Sequence, residues 1–120
     1  MSKFEELIRD LEAGKVRVAE KADGEWRVNA HVKVLILDGF KAGQLTDMSI
    51  AGMPFFDKDT LPVHEFSISD RVRIVPGGSS VRCGAFIAPS VIIMPPSYVN
   101  IGAYIDEGTM VDSHVLVGYL

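Results

Sequence analysis

The rhythm of hydrophobic and polar positions changes several times along this chain. Phe4, Leu7, Ile8 and Leu11 fall at helical spacing, behind Ser2 as an N-cap with Glu5 three residues later. With Gly14 as a stop, the pattern predicts a helix over 3–13. Val16 and Val18 then alternate with charge, Asp23-Gly24 is a hairpin turn signal, and Trp26 and Val28 resume the alternation. The segment from Asn29 to Lys41 fits two periods. Val32, Leu35, Ile36 and Phe40 make a helical stripe behind a possible Asn29 cap, while Val32, Val34 and Ile36 also alternate; a helix is the preferred reading. Residues 41–62 are rich in Gly, Pro, Asp and Thr and are expected to form a loop, anchored to a core by Phe55, Phe56 and Leu61. Val63 to Val75 alternates loosely and leads into a turn at Pro76-Gly77-Gly78.

From Val81 the period becomes six. Cut into hexapeptides, the chain runs VRCGAF, IAPSVI, IMPPSY, VNIGAY, IDEGTM, VDSHVL and VGYL. The first position is Val81, Ile87, Ile93, Val99, Ile105, Val111 and Val117, β-branched every time. The fifth position (Ala85, Val91, Ser97, Ala103, Thr109, Val115) is never larger than Val, and Gly84, Gly102 and Gly108 recur at the fourth. Neither a helix nor an ordinary sheet demands this, whereas a left-handed parallel β-helix does. Each hexapeptide makes one side of a triangular coil, and the first side chain stacks inside on its equivalent about 4.8 Å along the axis. The expected architecture is an α+β N-terminal domain at 1–70, a connecting strand and turn at 71–80, and the first coils of a β-helix at 81–120. About two coils fit after Val81, fewer than the three or more repeats a solenoid generally needs. A C-terminally truncated copy of a longer protein is therefore expected.

The string VNIGAYIDEGTMVDSH, with RIVPGGSSVRCGAFIAPSVIIMPPSY before it, resembles the tetrahydrodipicolinate N-succinyltransferase family of lysine and diaminopimelate biosynthesis. The segment LEAGKVRVAEKADGEWRVNAHVKVLILDGFK is similar to the N-terminal region of that family. The resemblance implies a succinyl-CoA-dependent N-acyltransferase acting on a cyclic imine dicarboxylate, and a homotrimer with sites in the clefts between neighbouring β-helices. It matches Arg73 and Asp112 to the substrate-contacting residues, with Asp112 the best candidate for the catalytic group. It also puts most of the CoA-binding surface beyond residue 120.

The chemistry suits both residue types. A dicarboxylate calls for a planar, permanently charged donor fork, which Arg supplies. An attacking amine must be unprotonated, and a nearby carboxylate can orient it or accept its proton. Taken on spacing alone, Arg73 is equally a surface residue alternating with Val72 and Ile74. Asp112 stands at a second hexapeptide position, where small and acidic residues serve structural needs. A different β-helix acyltransferase would use His114 as its base, and a non-catalytic fragment would use none of these groups. His114 falls at a corner position where the resemblance implies no reliance on a histidine, and it is expected to face solvent.

Composition narrows the field further. The 120 residues are 48% hydrophobic with a net charge of −4, unlike a disordered tail or a phosphate-neutralising nucleic-acid binder. Cys83 is the only cysteine, so no internal disulfide forms and a reducing cytoplasm is the expected setting. His31 and His64 are isolated, no spacing suggests a metal site, and no permanently bound cofactor is expected. Cys83 has no base beside it in sequence, which weighs against a nucleophile.

Overall fold

The computed structural model describes residues 2–119. Its first part holds two helices and two short hairpins. Helix α1 spans Lys3–Glu12, and the Ser2 hydroxyl accepts the Glu5 N–H at 3.1 Å. Strands β1 (Ala19–Ala22) and β2 (Glu25–Val28) pair antiparallel across Asp23-Gly24, both at positive φ, as a two-residue hairpin turn requires. Helix α2 spans Ala30–Ala42. Asn29 precedes it without capping it: its side-chain amide instead donates to the Arg17 carbonyl (2.8 Å) and to Glu20 (3.2 Å). The cap expected there is thus diverted to closing the hairpin.

The segment expected to be loop contains a second hairpin, β3 (Leu45–Asp47) against β4 (Phe56–Lys58). Side-chain oxygens hold it: Asp59 accepts the Gln44 N–H and Asp47 accepts the Ser49 N–H. The turn-rich composition masked two short strands whose partners lie across an eight-residue connection. Leu61 is buried as expected, but Phe55 and Phe56 are exposed on this hairpin and anchor nothing.

A 3₁₀ turn (Ile68–Asp70) leads into strands of two residues each: β5 (Arg73–Ile74), β6 (Ser80–Val81), β7 (Phe86–Ile87), β8 (Ile92–Ile93), β9 (Tyr98–Val99), β10 (Tyr104–Ile105), β11 (Met110–Val111) and β12 (Leu116–Val117). They stack in parallel as three sheets, β5-β8-β11, β6-β9-β12 and β7-β10. From β6 onward each strand meets the one 18 residues later, so three hexapeptides return the chain to the same sheet. Between β5 and β8 the offset is 19, because the Pro76–Ser79 turn adds a residue.

The first-position aliphatics fill the interior: Val81, Ile93, Val99, Ile105 and Val111 are all buried. Ser97, the polar fifth-position residue, has two acceptors in reach of its one hydroxyl proton, the carbonyls of Met94 and Asp112.

The two parts share a second core. Leu7, Leu11, Val18, Val32, Ile36 and Leu61 pack with Cys83 and Ile101 from the coil. Polar contacts pin the same seam. Glu12 accepts the Gly84 N–H at 2.8 Å, and Arg82 bonds both Asp57 of the second hairpin and Asn100. Burial would raise the Asp57 carboxyl, but the hydrogen bond and charge of Arg82 outweigh it and hold it below the usual range.

The corner glycines at this seam have no room to spare. A Cβ on Gly102 (φ +87) would lie 2.7 Å from the Val18 methyl, whereas one on Gly108 (φ +75) meets nothing. Gly102→Ala is expected to cost about 3 kcal/mol, combining left-handed strain with overpacking. Gly108→Ala should cost only the strain, about 1 kcal/mol. Urea unfolding of the two variants measures the difference.

Candidate functional site

Of the three outward sheet faces, two are occupied. Over β7-β10 the rings of Phe86 and Tyr104 stack at 4.3 Å, and the Arg17 guanidinium lies 3.6 Å over Tyr104. Beside β6-β9-β12, Arg82 is tied to Asp57 and Asn100. The face of β5-β8-β11 carries the third set.

Pairing register fixes what that face presents. Arg73, Ile92 and Met110 are direct neighbours across the three strands. Ile93 and Val111, both buried, form the next row with the more exposed Ile74, and the backbone bonds Val75 N–H to Ile93 and Met94 N–H to Val111 continue the ladder one residue further. Val75, Met94 and Asp112 therefore make a second outward row. Val91 and Ile93 are completely buried while Ile92 between them is partly exposed, as alternation across a strand requires.

Arg73 and Asp112 thus sit at opposite corners of one small array, both exposed. Two strand steps and two residues along separate their backbones by about 12 Å. The structure brings the two expected site residues to one face without direct contact between them. Among the described residues Arg73 makes no ion pair, and its backbone N–H holds it to the sheet through the Val91 carbonyl at 3.0 Å.

Asp112 also has a structural task. Its Oδ1 accepts the Ser113 N–H at 2.8 Å, as Asp106 does for Glu107 and Asn100 for Ile101. All three stand at second hexapeptide positions and brace the corner that follows. Asp112 differs from the other two in facing the same sheet as Arg73.

His114 lies at a corner with φ +64, exposed, its backbone N–H bonded to the Pro96 carbonyl. His31 is exposed on α2. His64 stacks on Phe66 at 4.0 Å and approaches Glu12 at 3.8 Å, at the seam between the two parts. Among the described residues no cluster of His, Cys, Asp and Glu is placed to hold a metal ion.

Cys83 is 4% exposed and lines a groove of about 630 Å³ with Phe4, Ala42, Thr60 and Pro62, away from the Arg73 face. Burial, with the charge of Glu12 behind it, pushes its thiol up to about 12. A disulfide reagent at pH 8 should therefore react on the order of a thousandfold more slowly than with a free thiol. Adding denaturant should restore the ordinary rate, which absorbance of the released thiolate follows.

Comparison with known proteins agrees with the resemblance carried by the repeat. Residues 1–41 match the family model for the N-terminal region of tetrahydrodipicolinate N-succinyltransferase. A 2,3,4,5-tetrahydropyridine-2,6-dicarboxylate N-succinyltransferase of Parvibaculum lavamentivorans is 43% identical over 94% of this chain and 42% of its own length. Those of Caulobacter vibrioides and Acinetobacter baylyi are each 42% identical over 95% of the chain, covering 44% and 42% of the relative. The chain spans about two-fifths of the length of these curated relatives. Over nearly its whole length, this chain is similar to tetrahydrodipicolinate N-succinyltransferases.

Proposed function

We propose that the chain carries the acceptor-binding part of a succinyl-CoA-dependent N-succinyltransferase acting on tetrahydropyridine-dicarboxylate. The observation that supports this most is the shared outward face of Arg73 and Asp112, within a sequence similar to enzymes of that name. Arg73 would hold a carboxylate of the ring-opened amino diacid through paired N–H donors. Asp112 would orient the amine and take up its proton as the nitrogen attacks the thioester carbonyl carbon. A C–N bond forms, the C–S bond breaks, and CoA leaves as the thiol. Holding amine and thioester together accounts for much of the rate in such a transfer.

The same reading takes the three-sheet coil as a left-handed β-helix, which the six-residue pattern and the 18-residue return support. It takes the assembly as a homotrimer with sites in the clefts between neighbouring coils, and its setting as the cytoplasm. Among the described residues no helix is long and apolar enough to cross a membrane.

The test is calorimetric titration of the protein with α-aminopimelate, a stable analogue of the opened acceptor, together with release of CoA from succinyl-CoA. Arg73→Ala should abolish measurable binding, and His114→Ala should leave it intact. Absence of binding by the unaltered protein would sink the assignment, and so would binding that depends on His114 and ignores Arg73.

A further inference from the structure

Asp112 shares its corner brace with Asn100 and Asp106, yet its peptide is held from a second side. The Ser113 N–H that grips Asp112 Oδ1 at 2.8 Å and the Asp112 carbonyl belong to one peptide unit. That carbonyl lies 2.8 Å from the Ser97 hydroxyl of the preceding coil. Among the described residues the carbonyls of Asn100 and Asp106 meet no side-chain donor, and that of Asn100 takes the Ala103 N–H instead. Ser97 is also the one polar side chain buried among the described residues. The fifth positions on either side of it are Ala85, Val91, Ala103, Thr109 and Val115.

Proton supply decides where the Ser97 hydroxyl points. Ser79, one coil earlier, accepts the Ser97 backbone N–H at 3.1 Å. The Met94 carbonyl lies 3.3 Å from the Ser79 hydroxyl and 2.7 Å from that of Ser97. Two hydroxyl protons therefore serve two carbonyls, those of Met94 and Asp112. Only one assignment gives each carbonyl a proton: Ser79 donates to Met94, and Ser97 donates to Asp112.

We infer that Ser97 is a positioning residue for the Asp112 carboxylate, acting through the Asp112–Ser113 peptide. Its hydroxyl fixes the plane of that peptide, and the N–H on the opposite side fixes Oδ1. A bond to the carbonyl also polarises the peptide and strengthens its N–H as a donor. Oδ2, without a hydrogen-bond partner among the described residues, is left to meet the acceptor amine from a set direction. A carboxylate already held loses less freedom when the amine binds, so the contact is tighter. The inference rests on the acceptor-site reading above and extends it to a buried residue that touches no ligand.

The experiment is titration with α-aminopimelate and with pimelate, the same diacid without the amine, using Ser97→Ala and Ser97→Thr. Ala and Thr both occupy fifth positions elsewhere in the coil, at Ala85, Ala103 and Thr109, so both variants keep the fold. Ser97→Ala should weaken α-aminopimelate binding about tenfold, the worth of one well-placed hydrogen bond. Pimelate should be unaffected, because it engages Arg73 but offers Asp112 no amine. Ser97→Thr keeps the hydroxyl and should bind α-aminopimelate as the unaltered protein does. In an Asp112→Ala background, Ser97→Ala should cause no further loss. A purely structural Ser97 would weaken pimelate as well, or act again in the Asp112→Ala background. Either result, or no loss for either acid, overturns the inference while Arg73-dependent binding stands. If α-aminopimelate does not bind the unaltered protein, or binding ignores Arg73→Ala, the acceptor-site reading falls and takes the inference with it.

Discussion

Replacing Ile101 by alanine will lower stability by about 3–4 kcal/mol, near the upper part of the range for a fully buried large-to-small change. Ile101 is 0% exposed and belongs by sequence to the coil, yet it packs in the cluster formed by Leu7, Leu11, Val18, Val32 and Ile36. The methylene nearest its Cβ lies under Gly84, whose backbone cannot follow an inward collapse because it is held by Glu12. The cavity left behind will therefore relax little. Because the residue serves both parts at once, the helices and the coil should unfold in a single, earlier urea transition. Far-ultraviolet circular dichroism and Trp26 fluorescence, followed together, check this. Two separated transitions would show that the seam is not shared.

The same residue shows how far the sequence could be read. Counting first positions found the interior of the coil, since five of those seven aliphatics are buried. The period of six did not reveal which corner meets the N-terminal part. That signal lay in the third positions, where Cys83, Ile101 and Tyr119 recur every eighteenth residue while Pro89, Pro95, Glu107 and Ser113 fall between them. An apolar third position once per coil marks one covered corner, and Gly84 and Gly102 follow it because the N-terminal core presses directly on the chain there.

The β3–β4 hairpin was illegible for a different reason. Its strands are three residues long and expose Leu45 and Phe56, so no alternation develops, and side chains of Asp47, Ser49 and Asp59 supplement the short backbone ladder. Helix α2 was readable in place but not in orientation. Val32 and Ile36 are buried as the stripe predicts, while Leu35 is exposed and Gly39 takes the buried position under Phe4. At the site, the family resemblance pointed to Arg73 and Asp112, which spacing alone would have left as surface residues. That they share a face follows only from pairing register, which the extra residue in the Pro76–Ser79 turn shifts out of the six-residue count.

Arg73→Ala should weaken binding of α-aminopimelate by about a hundredfold or more, the loss expected when a charge-assisted, two-pronged contact to a carboxylate disappears. Two other arginines near the coil are engaged elsewhere. Arg82 is committed to Asp57 and Asn100, and Arg17 lies flat on Tyr104 at the far face. Arg73 alone stands in the row with Ile92 and Met110. Because its side chain is exposed and makes no ion pair among the described residues, its removal should shift stability by less than about 0.5 kcal/mol. The effect on binding is thereby separable from any effect on folding. Arg73→Lys should recover part of the loss, since it restores the charge without the planar fork. Full recovery by lysine would mean that charge alone recruits the ligand. Equal loss in both variants would place the specificity in the paired geometry, which an Arg fixed on a two-residue strand is suited to supply.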